Sequence, residues 1–134
     1  VTFLRRLISL AAGARSVGVS GMHELGITQS IIDIAGRNAA AQGATRVLSV
    51  TVEIGLLSGI VPDAVEFCYD ACAAGTLLAG SRLIVRAIPG RGRCGDCGGE
   101  CPLDPYTFAC PACGALTLER LAGEELRVIE LEIP

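Results

Sequence analysis

The spacing of apolar residues changes along the chain, and each change marks an element. Ile27, Ile31, Ile34 and Ala35 recur at helical intervals, and Gly43 stands where a helix C-terminus favours glycine. That pattern predicts a helix over about 26–42. The period then drops to two. Leu48, Val50, Val52 and Ile54 alternate with Ser49, Thr51 and Glu53, as in a strand with one covered face. Gly55 to Gly59 reads as a turn. Pro62 suits the first turn of a second helix, with Asp63 and Glu66 at its positive end. Val61, Val65, Cys68 and Cys72 continue it at i, i+4, i+7 and i+11, and Gly75 ends it.

A second strand alternates Leu83, Val85 and Ala87 with Arg82, Ile84 and Arg86, and Pro89-Gly90 closes it. A last strand runs from Leu126 to Ile133. Its apolar parity shifts from Leu126/Val128 to Ile129/Leu131/Ile133, which suggests a bulge. The expected fold class is α+β: two helices on a small mixed sheet of about three strands. Residues 92–123 form a zinc-ribbon-like four-cysteine module inserted between the last two strands. Residues 22–91 and 124–134 make the helix-sheet body.

Residues 1–21 are set apart from that domain. Arg5-Arg6 before Leu7 to Ala14 resembles a short signal peptide, with Ala12-Gly13-Ala14 as a small-residue cleavage pattern. The favoured reading makes Met22, the chain's only methionine, the first residue, with upstream sequence read in frame.

The inserted module carries Cys94-Gly95-Asp96-Cys97 and Cys110-Pro111-Ala112-Cys113, two Cys-x2-Cys pairs twelve residues apart. Each pair presents two thiolates on one side of a tight loop, and two facing pairs close a tetrahedral site. Gly98 and Gly114 follow the pairs and let the backbone turn beneath the metal. The expectation is structural Zn(II) on Cys94, Cys97, Cys110 and Cys113, ahead of disulfides or an iron-sulfur site. Four protein thiolates leave no open coordination position, so such an ion holds a fold and does no hydrolysis.

The seven cysteines are an odd number with four at metal spacing, which suits a reducing, cytoplasmic setting. Cys68 and Cys72 share a helical face with Val65, so buried packing is expected of them. Cys101, between the pairs, is a spare thiol or an alternative ligand.

Charge narrows the partners. All eleven basic residues are Arg, and residues 94–134 hold eight acids against two Arg. An acidic module repels phosphate backbones, so nucleic acid is not expected. No apolar run approaches the ~20 residues of a membrane span, so no membrane is expected either.

His23 is the only histidine. With Met22 as the first residue, the terminal amine, the His23 backbone nitrogen and its imidazole can meet on one metal. Three nearly coplanar nitrogens suit Ni(II) or Cu(II), and Glu24 can add a donor.

These residues carry a resemblance. Met22-His23-Glu24-Leu25, Thr28-Gln29-Ser30-Ile31 and Glu53-Ile54-Gly55-Leu56-Leu57-Ser58 resemble the HypA/HybF family of hydrogenase nickel-incorporation proteins. Ala64-Val65-Glu66-Phe67, Gly75-Thr76, Gly123-Glu124-Glu125-Leu126 and the paired cysteine knuckles extend the likeness over residues 22–134. The resemblance implies a nickel metallochaperone of mixed α/β fold with a zinc domain and no enzymatic activity of its own. It implies transient Ni(II) at Met22, His23 and Glu24, and zinc at the four cysteines. It further implies a GTPase partner of the HypB type and delivery to the large subunit of [NiFe]-hydrogenase, in some bacteria also to urease. A monomer or weak homodimer is expected. Two other readings compete: a zinc-ribbon binding module, and a rubredoxin-like iron protein whose thiolates would give it colour.

Overall fold

The computed structural model describes residues 6–9, 15–16 and 24–134; in the first two stretches only the side chains of Leu7 and Ile8 are included. Met22, His23 and residues 10–14 of the signal-like stretch, with its small-residue cleavage pattern, lie outside the described residues. The chain forms β1 (Arg6–Ser9), β2 (Arg15–Ser16), α1 (Glu24–Ala41), β3 (Ser49–Gly55), α2 (Pro62–Ala73) and β4 (Arg82–Ile88). It continues through β5 (Gly90–Cys94), β6 (Glu100–Leu103), β7 (Leu118–Ala122) and β8 (Leu126–Ile133). Two compact units result. The first holds the described residues up to 53, with 61–86 and 126–134; the second holds 54–60 and 87–125.

In the first unit, α1 buries Ile27, Thr28, Ile31, Ile32, Ala35 and Ala39. Ile34, assigned to the stripe from spacing, is only half-buried, and Ile32 takes its place. Thr28 is tolerated inside because its hydroxyl donates to the Glu24 carbonyl at 2.6 Å. The chain leaves α1 through Gly43 N–H to Ala40 O (2.9 Å) and Ala44 N–H to Ala39 O (3.0 Å), the paired bonds of a Schellman ending.

α2 opens at Pro62 without a side-chain cap. Its covered stripe is Val65, Tyr69 and Ala73. Cys68 and Cys72 are half-buried on the flank, and Val61 is exposed. The deep packing expected of the two thiols is therefore supplied by Tyr69 instead. An aromatic ring reaches further into the core than a thiol, so it sets the angle at which the helix sits. The Tyr69 hydroxyl meets Ser81 Oγ at 2.5 Å, which satisfies both buried oxygens. Burial raises the Tyr69 pKa; the Ser81 hydrogen bond opposes that shift.

The strands pair in the order β1-β8-β3-β4, with β2 also on β8. Leu48 N–H donates to Glu132 O and Gly55 N–H to Glu125 O, so β3 and β8 are antiparallel. Arg82 N–H donates to Leu48 O and Leu56 N–H to Ile88 O, so β3 and β4 are parallel, joined by α2 as a βαβ unit. This is the expected mixed sheet. Val50, Val52, Val128, Leu131 and Ile133 are all fully buried and make an aliphatic core with α1 and α2. β8 covers Leu126 and Val128, then Leu131 and Ile133, so the parity shift in the sequence is a shift in which positions are buried. Arg127 Nε donates to Glu53 Oε1 at 2.7 Å across β8 and β3.

Residues 6–9, set apart by the sequence, pair antiparallel with Glu130–Ile133, and Arg15–Ser16 pair with Arg127–Val128. The edge of β8 thus has its ladder occupied, which an open edge strand needs.

In the second unit, β5 lies between β6 and β7, antiparallel to both. The β5–β7 register shifts between Arg91 and Gly92. Residues 54–60 join this unit by backbone bonds: Gly55 N–H to Glu125 O (2.7 Å) and Leu57 N–H to Gly123 O (2.6 Å). Gly55 is required there, since a Cβ would stand 1.9 Å from the Gly123 oxygen.

Two glycine substitutions should therefore act in opposite directions. Gly55→Ala should destabilise the protein by about 2–3 kcal/mol or more, because backbone must move to admit the methyl. Gly36→Ala, on α1, places its Cβ 3.7 Å from Leu78 Cδ1, an ordinary contact. It should stabilise by about 0.5–1 kcal/mol through helix propensity. Urea denaturation followed by circular dichroism measures both.

Candidate metal centre

The second unit owes little to apolar burial. Its buried side chains include Cys94, Cys101, Leu103 and Cys110. Cys94 ends β5, and Cys97 follows in the turn that leads to β6. Cys110 and Cys113 occupy the loop before β7.

The two loops are built alike. Cys94 N–H donates to Gly99 O (2.9 Å) and Gly98 N–H to Cys94 O (2.9 Å). Cys110 N–H donates to Ala115 O (2.8 Å) and Gly114 N–H to Cys110 O (2.8 Å). In each loop the glycine after the second cysteine takes a positive φ, 74° at Gly98 and 76° at Gly114. Only a residue without a Cβ takes that turn readily, so the sequence placed both glycines correctly.

The four sulfurs converge. All lie within 4.8 Å of one another, with Cys94 Sγ 3.5 Å from Cys113 Sγ and Cys97 Sγ 3.7 Å from Cys110 Sγ. A tetrahedron with metal–sulfur bonds of about 2.3 Å has edges of about 3.8 Å, so the set fits such an ion. The spacing is far above a disulfide bond of about 2.05 Å, and the four thiols are free. Cys101 is buried in β6 and stands outside this group.

The electrostatics split the four thiols into two kinds. Backbone N–H groups of Cys97 and Asp96 pull the Cys94 pKa down to about 6. Those of Cys113 and Ala112 lower Cys110 in the same way. Cys113 is pushed up to about 12: the Ala115 N–H favours its thiolate, but the Cys94 sulfur, burial and the other sulfurs outweigh it. Cys97 is also raised, with the Gly99 N–H acting in the opposite direction. Like charges this close cannot all ionise, and a divalent cation between them removes the conflict.

Of the candidate nickel residues, Glu24 is the first residue of α1. Met22 and His23 lie outside the described residues, so no distance relates the three. A groove of about 530 Å³ between α1 and α2 was not foreseen. It is lined by Gln29, Ile32, Asp33, Arg37, Cys72 and Thr76, among others, and Arg37 and Asp33 pair across one helical turn. The sequence signal for it was Gly36, the small residue of the facing helix surface.

Known proteins resemble this chain closely. The family model described as hydrogenase/urease nickel incorporation, metallochaperone, hypA matches residues 22–133. The hydrogenase maturation factor HypA of Geobacter metallireducens is 54% identical over 112 residues, 84% of this chain and 99% of that protein. HypA of Nostoc punctiforme is 48% identical over 112 residues, 84% of this chain and 96% of that one. Among solved structures, the solution structure of the nickel metallochaperone HypA from Helicobacter pylori superposes with a TM-score of 0.61. It is 21% identical and covers 84% of this chain and 97% of that one, a likeness of fold.

Metal binding by the four cysteines should release protons. Near neutral pH Cys113 and Cys97 are protonated in the metal-free protein, so a metal taking all four thiolates expels at least two protons. Affinity should therefore rise with pH and fall as pH drops, more steeply below about 6, where Cys94 is protonated too. Calorimetry in buffers of different ionisation enthalpy counts the protons. Cys113→Ser should lose the metal and loosen the second unit, while the helical circular dichroism of α1 and α2 persists.

Proposed function

The chain belongs to the HypA family of hydrogenase and urease nickel-incorporation metallochaperones, and from that premise we propose how it carries its metal and to what. Its cargo is Ni(II), taken by the Met22 amine, the His23 backbone nitrogen and imidazole, and Glu24. Its recipient is the large subunit of a [NiFe]-hydrogenase, and a maturation GTPase of the HypB type acts with it. Zn(II) is the resident ion, held by Cys94, Cys97, Cys110 and Cys113. The observation that carries this reading is the match over residues 22–133, with relatives such as the Geobacter metallireducens protein named hydrogenase maturation factors.

The donor chemistry supports the division between the two metals. Nitrogen donors in a plane suit d8 Ni(II) and leave it accessible for transfer. Four thiolates enclose zinc completely, so that ion stays and shapes the protein. The protein has no catalytic step of its own; nucleotide hydrolysis belongs to the GTPase. Residues 92–123 act as a zinc-held module separate from the helix-sheet body of 22–91 and 124–134, and the chain works in the cytoplasm.

Nickel titration of three forms of the protein tests the cargo site: starting at Met22, starting at Met22 with His23→Ala, and starting at Val1. Tight binding should appear only in the first. His23→Ala removes the only imidazole, and starting at Val1 turns the Met22 amine into a peptide nitrogen, a far poorer donor near neutral pH. Zinc content should be equal in all three. In the first form, nickel affinity should fall as pH drops towards the histidine pKa of about 6.5. Equal nickel affinity across the three forms would move the cargo to the cysteines.

A further inference from the structure

We propose that the outer face of α2, centred on Phe67, is a docking surface for a protein whose apolar socket is rimmed by Lys or Arg. The occupant is the GTPase assigned above, and the proposal rests on that reading. Phe67 is 89% exposed, more than any other large apolar side chain of the described residues. The helix does not need it for packing, because Val65, Tyr69 and Ala73 already form the covered stripe. At about 100° per residue, Phe67 points roughly 160° away from the centre of that stripe. Ala64 and Ala71 share its sector, and their small side chains leave the ring standing clear of the helix.

A phenylalanine this exposed, flanked by Ala64 and Ala71 on one side and Asp63 and Asp70 on the other, adds little to the packing of the fold that carries it. The arrangement fits an anchor for a pocket on another molecule, where one aromatic side chain can supply much of the binding energy.

The border of the sector says what that molecule is. Asp63, Glu66 and Asp70 are exposed along one side, and α2 contains no basic residue. Arg82 lines a hollow beside Glu66 and Asp70, but among the described residues no ion pair joins it to either. Two copies of this face would bring acid against acid, which disfavours a second copy of the chain as occupant. Anionic lipid and nucleic acid are disfavoured by the same charges. A basic-rimmed socket on a protein satisfies both the ring and its border.

The test uses purified, zinc-loaded protein starting at Met22 and the purified GTPase, with binding measured by calorimetry at low and high salt. Phe67→Ser should weaken association by about tenfold or more, and Phe67→Leu should recover most of it. Glu66→Gln with Asp70→Asn should lessen the salt dependence. Nickel affinity, zinc content and thermal midpoint should stay as in the wild type, because the ring is 89% exposed and lies outside the covered stripe of α2. Phe67→Ser binding the GTPase within twofold of wild type would overturn the proposal while leaving the GTPase partnership intact. Failure of the wild type itself to bind the GTPase would remove that partnership and this occupant together. A wild-type dimer in gel filtration that Phe67→Ser dissociates would reassign the face to a second copy and overturn it as well.

Discussion

Four thiol sulfurs within 4.8 Å of one another are the constraint on which the second unit turns. Packed that closely, they cannot all lose their protons unless a cation stands among them. The backbone prepares two of them, since N–H groups aimed at Cys94 and Cys110 lower both. The other two, Cys97 and Cys113, are raised by their neighbours. A metal ion would satisfy all four at once and join two Cys-x2-Cys loops with twelve residues between them. Few large aliphatic side chains are buried nearby, so metal–sulfur bonds do here what a hydrophobic core does elsewhere.

The first unit solves the same problem by the opposite means. With aromatic residues only 4% of the chain, its core is aliphatic, and β-branched residues from β3 and β8 supply most of the strand contribution. β3 is parallel to β4 and antiparallel to β8, so both of its edges are occupied. That explains why Thr51, on its polar face, is only 2% exposed. An interior strand hides its backbone and much of both faces.

Elements with a single strong period were legible in the sequence. The α1 stripe, the β3 alternation and the paired cysteine loops with their glycines all follow from local chemistry. What escaped depends on partners distant in sequence. Residues 54–60 look like a plain turn, yet Gly55 is fixed by the oxygen of Gly123. Nothing in residues 6–9 announces a strand, because their pairing with Glu130–Ile133 is a property of the β8 edge. On α2, helical spacing grouped Cys68 and Cys72 with Val65, but the bulkier Tyr69 decides which side faces the core. Periodicity gives a helix two candidate faces when apolar residues line both, and Phe67 shows that the second face need not be buried. For the metal residues the limit is different. The four cysteines have a spacing that is itself a geometry, whereas Met22, His23 and Glu24 gain their nickel reading from the resemblance and the donor types.

On the proposed reading, ligand softness and openness would keep two metals apart on one small protein. Thiolates would hold nickel too well for a carrier, and a site closed by four protein ligands offers a recipient nowhere to attach. Nitrogen and carboxylate donors at a chain terminus leave positions free, so an acceptor can bind the ion before the carrier lets go. Both sites compete with protons, but through different groups: imidazole and amine for the proposed cargo site, thiols for the resident one. An ion held by the four cysteines would be enclosed and would shape its unit, so its loss would disturb structure. A nickel ion on the proposed donors Met22, His23 and Glu24 would borrow only a few ligands, so its departure need not. A protein that must surrender one metal repeatedly while keeping another gains from placing them on chemically unlike ligands.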